Sequence, residues 1–257
     1  MKLSRFDLIV TMYRSLFVET VWNFERMQSV GFLYAIIPAI RKLYPNKIKR
    51  ISALKRHLKP FSTHPYMTGI ILGVILKKEE EIACGTEENT KVIDDIKSNM
   101  MGPLAALGDS FFWSAWRPLI ALLGTTITML SVKNQCSIIL GPVVFLIIYN
   151  IPHFYLRCIG FIKAYNSGLG IISTIRNLNI QKLVERLYLI GAIMAGCVIA
   201  LLFSWDKFKL LDIEFIRNIF FFSVILLLTV ALKFQITATK LLYIIIIICT
   251  ISVYFGF

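Results

Sequence analysis

Asp109, Trp113 and Arg117 follow one another at four-residue intervals, setting a carboxylate, an indole and a guanidinium along one side of an otherwise apolar stretch. These groups suit a neutral polyol: planar carboxylates and amides take paired hydroxyls, and a Trp face covers the apolar side of a sugar ring. On a regular helix Asp109 and Arg117 lie about 12 Å apart along the axis, too far for a direct ion pair. The same stretch, Asn99 to Trp113, holds Gly102-Pro103 and Gly108-Asp109. In lipid a broken segment survives only where protein or a water-filled cavity satisfies its backbone, so the stretch reads as the irregular part of a transport site. The competing expectation is a Gly-Pro turn followed by a helix that Asp109 caps. His64, immediately before Pro65, reads as a helix-start residue, because no neighbouring base or Gly-rich cradle would make it a phosphate acceptor. No nucleophilic triad, metal cluster or nucleotide loop appears, so no catalytic residue and no cofactor is expected.

The elements that must hold these groups belong to a bilayer. Of 257 residues 57% are hydrophobic and 17% charged, with a mean hydropathy of +0.71. This predicts an all-α integral membrane protein. Lys and Arg outnumber Asp and Glu 28 to 15, but they stand in blocks at the ends of apolar runs, which argues against nucleic-acid binding. The five cysteines form no Cys-x-x-Cys pair and read as small core residues. Arg14, Glu19, Glu25 and Arg26 interrupt the first apolar stretch, so no signal peptide is expected and insertion falls to internal spans.

Organisation changes near residue 100. In the 1–99 region the apolar pieces 30–40 and 66–76 are too brief to cross about 30 Å of hydrocarbon and read as interfacial or re-entrant. Between them, residues 41–59 carry eight Lys and Arg with no acid, which predicts a cytoplasmic loop, or a patch for anionic lipid or an acidic partner. Lys77 to Lys97 reads as a solvated segment without chemistry. The 100–257 region holds five candidate spans, about 112–132, 138–158, 187–203, 218–232 and 241–257, whose basic connections alternate so as to leave Phe257 external. Gly69 and Gly73 predict a close helix contact, Pro142 and Pro152 read as structural kinks, and Trp116 and Trp205 as interfacial anchors.

Trp22-Asn23-Phe24-Glu25-Arg26-Met27-Gln28, Pro38 to Pro45, Lys55-Arg56-His57-Leu58, Thr63-His64-Pro65, Met101-Gly102-Pro103-Leu104-Ala105, Gly108-Asp109, Phe112-Trp113 and Arg117-Pro118 occur in order, followed by Leu140-Gly141-Pro142, Asn150 and Gln181-Lys182-Leu183. The series resembles the IID component of the mannose/fructose/sorbose family of the bacterial phosphotransferase system, mannose-type members most of all. The resemblance implies a multi-pass protein of the bacterial inner membrane that pairs with a IIC membrane subunit in a larger oligomer. It implies that soluble IIA and IIB domains phosphorylate a hexose as it enters. Asn23, inside the first matched run, joins Asp109, Trp113 and His64 as candidate substrate contacts. An unrelated secondary permease is the alternative. The chain departs from the family pattern in a short loop at 204–217, in Val184-Glu185-Arg186 where a Gly-containing turn is usual, and in Asn218-Ile219-Phe220, which lacks Pro-Gly.

Overall fold

The computed structural model describes residues 3–86 and 89–202, together with Ser223 and Tyr243 as single helical positions. The described residues are mostly helical; Asn23, Met27 and Phe61 form two isolated β-bridges, and no strand occurs among them. Apart from Ser223 and Tyr243, the expected spans 218–232 and 241–257 lie outside the described residues, as do the 204–217 loop, Asn218 to Phe220 and Trp205.

Among the described residues ten α-helices run in order: α1 (Arg5–Arg14), α2 (Ser29–Leu43), α3 (Lys47–Arg56), α4 (Thr68–Ala83), α5 (Val92–Gly108), α6 (Arg117–Lys133), α7 (Leu140–Tyr155), α8 (Phe161–Ser167), α9 (Ile171–Asn177) and α10 (Ile180–Leu202). Two π-helical segments join α5 to α6 (Asp109–Trp116) and α7 to α8 (Leu156–Gly160). Helix, π-segment and helix therefore make two continuous rods, Val92–Lys133 and Leu140–Asn177, each long and apolar enough to cross a membrane. Only about 28% and 11% of their apolar windows are buried, so most of their apolar surface stands open. The expected spans 112–132 and 138–158 fall on these rods, and the described part of 187–203, residues 187–202, on α10.

The core lies around α4. Every residue from Thr68 to Leu76 is buried, so the 66–76 piece is not interfacial: a helix apolar on all sides is surrounded by others. Its neighbours include α8, α5 and α2. A Cβ on Gly73 would stand 2.5 Å from the Phe161 carbonyl oxygen, and one on Gly69 3.0 Å from that of Arg157, so these two glycines permit the α4–α8 approach the sequence suggested. Gly141 does the same for α7 against α6, where a Cβ would overlap Thr128 Oγ1.

Several expectations fail for local reasons. Gly102-Pro103 does not break the chain, because α5 runs through it. The amide that proline lacks would have bonded the Asn99 carbonyl, and both residues line a cavity of about 480 Å³. Asp109 has helical angles (φ −63°, ψ −45°) and is not an N-cap; the irregularity is the π-helical register that begins there. The Trp116 indole donates to the Tyr149 carbonyl and ties the π-helical segment Asp109–Trp116 to α7. Cys84 and Cys136 are exposed rather than core residues. Val184-Glu185-Arg186, where the sequence departs from a Gly-containing turn, lies within α10. Lys77 to Lys97 is not simply solvated either, because Glu79, Glu80 and Lys97 are buried.

Candidate functional site

The π-helical segment turns Asp109, Ser110, Trp113 and Ser114 outward, with Arg117 following on the same side, while Phe112 and Ala115 face the core. The Arg117 guanidinium lies 5.3 Å from the Trp113 ring centroid. Asp109 and Arg117 have no ion-pair partner among the described residues. A carboxylate and a guanidinium exposed midway along a 42-residue apolar rod are costly in hydrocarbon, so this face meets water, a substrate or a polar partner surface.

His64 sits beneath this face. Its ring stacks on Phe112 (centroids 5.1 Å apart, planes 15°) and lies 5.4 Å from Trp113. Its Nδ1 accepts the Tyr66 amide N–H at 3.2 Å in the turn that precedes α4, whose N-cap position is Met67 rather than His64. An accepting Nδ1 makes the imidazole neutral with its proton on Nε2, and that buried donor has no partner among the described residues. Tyr66 continues the cluster. Its ring stacks on His153 at 3.8 Å and lies 5.6 Å from the Arg157 guanidinium, and its hydroxyl is 3.1 Å from that of Tyr149. Asn150 gives its amide to the Leu146 carbonyl, so its Oδ1 receives the His153 Nδ1–H at 3.2 Å, and His153 Nε2 is left as a buried acceptor without a partner among the described residues. Arg157 is 5% exposed and donates to the Ser15 and Pro65 carbonyls, so it is a strut between segments.

The structure thus gathers Asp109, Trp113 and His64 in one region. Asn23 serves its own loop instead. Its Oδ1 accepts the Arg26 N–H and closes a tight turn through paired backbone hydrogen bonds with Met27. Tyr66, Tyr149, His153 and Arg157 were not anticipated. The signal for the last two was present, since ionisable residues inside an expected span call for a partner by default.

A second cluster, also unforeseen, lies at the polar end of α2, α3 and α4. The Glu79 carboxylate, wholly buried, receives Arg56 Nε at 2.7 Å, Arg56 Nη2 at 2.8 Å, the Tyr44 hydroxyl at 2.7 Å and His57 Nε2 at 2.9 Å. Burial alone would push this carboxyl up, but the hydrogen bonds from His57 and Arg56 hold it down at about 2. Burial holds His57 near 4 despite the carboxylate beside it, so His57 is neutral at physiological pH and donates from Nε2. Lys97 closes the cluster, with Nζ 4.6 Å from the Phe32 ring. These groups pin α3 to the bundle. No group of three His, Cys, Asp or Glu able to hold a metal occurs among the described residues.

Comparison with known proteins decides what the site belongs to. The family model of the IID component of the mannose/fructose/sorbose phosphotransferase family matches residues 2–257. The chain belongs to this family. This IID component is 38% identical over 199 residues to the mannose-specific EIID component of Escherichia coli K12, an alignment covering 77% of this chain and 68% of that one. It is 35% identical over 199 residues to the fructose permease IID component of Bacillus subtilis (77% and 70% covered). In structure it resembles a chain in the cryo-EM complex of the mannose transporter ManYZ with microcin E492, with a TM-score of 0.61, 30% identity, and 99% of this chain and 98% of that one covered. IID components are membrane proteins of the transporter, and the match does not favour an unrelated secondary permease.

Proposed function

We propose that this IID component pairs with a IIC membrane subunit to form the sugar-translocating unit of a phosphoenolpyruvate-dependent phosphotransferase system, carrying mannose or a related hexose. Soluble IIA and IIB domains phosphorylate the sugar as it enters, and this chain performs no covalent step of its own. The exposed face of Asp109, Trp113 and Arg117 carries the reading. It offers a bidentate acceptor, an aromatic platform and a fixed cation to a polyol, with the IIC subunit closing the other side. His64 acts from beneath, fixing Trp113 by contact. The 1–99 region, with its basic 41–59 loop, lies towards the cytoplasm and Phe257 lies outside, and the IIC–IID pairs assemble into a larger oligomer.

The test is sugar phosphorylation by membrane vesicles supplied with phosphoenolpyruvate and the soluble phosphocarriers. Vesicles holding this chain with a IIC subunit phosphorylate hexose, and vesicles holding this chain alone do not. Uptake by this chain alone, driven by an ion gradient without phosphoenolpyruvate, would overturn the reading.

A further inference from the structure

Helix α3 has two faces of different character. Arg50, Ala53, Leu54 and His57 form an i, i+3, i+4, i+7 ridge that is buried or half-buried, with His57 held on Glu79. Ile48, Ile51, Ser52 and Lys55 form the opposite ridge, and all four are exposed; Ile48 is 80% exposed. Lys47 and Lys49 flank that ridge, and Arg41 stands exposed nearby in sequence at the end of α2. Of the eight Lys and Arg in residues 41–59, Lys42, Arg56 and Lys59 have carboxylate partners, Asp7, Glu79 and Asp94. The other five, Arg41, Lys47, Lys49, Arg50 and Lys55, have none among the described residues.

We infer that the outer face of α3 seats on the anionic head groups of phospholipid, with Ile48 and Ile51 entering the acyl boundary and Lys47, Lys49 and Lys55 meeting phosphates. Charge complementarity requires an anionic occupant. Exposed isoleucines set among lysines, on a helix anchored along its other side, give the pattern of a helix lying in a membrane interface. Depth favours lipid over a soluble acidic protein. Lys59, just past the end of α3, pairs with Asp94 on α5, and Asp94 precedes the apolar run that begins at Met100 by six residues, or about 9 Å of rise. A head-group layer is roughly 5–8 Å thick on each side of the hydrocarbon, so α3 ends at the outer edge of that layer, within reach of its lysine side chains.

The experiment uses the full chain purified with its IIC subunit in a neutral detergent, and reads thermal stability against added phosphatidylglycerol, phosphatidylcholine or inorganic phosphate. Phosphatidylglycerol stabilises at low concentration, phosphatidylcholine does so weakly, and inorganic phosphate does not reproduce the effect. The triple variant Lys47→Gln, Lys49→Gln, Lys55→Gln, whose side chains all point away from the core, raises the half-maximal phosphatidylglycerol concentration roughly tenfold or more. Ile48→Ser raises it less, and 0.5 M salt abolishes the difference between the lipids. An unchanged midpoint in the triple variant overturns the proposal, as does an equal effect of inorganic phosphate. So does an unchanged lipid midpoint accompanied by weaker binding of an added, purified acidic phosphocarrier, which would give the face to a protein instead.

Discussion

Gly108 lies directly against His64: a Cβ at residue 108 would overlap both the Cβ and the Cγ of His64. The absence of a side chain at 108 is therefore what lets His64 reach Phe112 and underlie Trp113.

Gly108→Ala forces that ring aside and costs about 1–3 kcal/mol of overpacking. Sugar phosphorylation falls at least tenfold at matched protein level, because Trp113 loses its support. Gly102→Ala, six residues earlier in the same helix, meets nothing within 4 Å and stabilises the chain by up to about 1 kcal/mol of helix propensity, read as a small rise in unfolding temperature. Equal activities for the two variants would show that His64 does not position the face.

Asp109→Asn tests charge at the exposed face while keeping size and helix. Assembly with the IIC subunit stays normal and hexose phosphorylation by vesicles falls, because an amide offers one acceptor where the carboxylate offers two. Since Asp109 is not a helix N-cap, loss of activity in this variant cannot be ascribed to a lost N-cap. Near-normal phosphorylation removes Asp109 from the site.

Glu79→Gln leaves the Arg56 guanidinium, the Tyr44 hydroxyl and His57 around a neutral amide. Removing one partner of a buried ion pair costs about 3–5 kcal/mol, which a thermal melt of the purified complex reads directly. A shift no larger than that of the exposed-pair variant Glu25→Gln would show the cluster to be dispensable.

The same cluster makes stability depend on pH. Folded His57 titrates near 4, below its ordinary 6.5, and folded Glu79 near 2, below 4.5. Both groups bind protons more readily unfolded, so the stability they contribute is complete above the unfolded values and is lost on acidification. His57 accounts for the loss between pH 6.5 and 4, and Glu79 for that between 4.5 and 2. Melting temperatures measured from about pH 8 down to 4 therefore fall below pH 6.5 in the native chain, and His57→Gln flattens that fall.

Orientation is checked by labelling. In a chain with its native cysteines replaced, a cysteine at Ser52 reacts only with reagent admitted to the cytoplasmic side, and one placed after Phe257 reacts from outside. The opposite pattern reverses the assignment of the 41–59 loop.

The helical class and the pairing of Asp109 with Trp113 were legible because both follow from periodicity: four residues return a side chain to nearly the same side of a helix, and little else in that stretch is polar. The continuity of α5 through Pro103 was not, since glycine followed by proline carries the same letters whether the chain turns or the helix tolerates one missing donor. The π-helical register leaves no compositional trace, because it shifts backbone hydrogen bonds without asking for a particular residue. Glu79 was hidden in Lys77-Lys78-Glu79-Glu80-Glu81, which reads as a solvated run. Its partners Arg56 and His57 lie more than twenty residues earlier, and only the packing of α3 on α4 shows that a run of charge has one member facing inward.

The π-helical join between α5 and α6 also sets a rotational phase. Each residue of an α-helix turns the chain by about 100°, so the azimuth at which α6 leaves Trp116 depends on how many residues the wider turns absorb. Eight residues wound this way place Phe112 inward against His64 and leave Gly124 facing Gly141 of α7. Removing one of them would swing all of Arg117–Lys133 by about a quarter turn and carry Gly124 out of mesh with Gly141. The segment thus works as a coupling of fixed angle between two shafts, and its length matters as much as the side chains it bears.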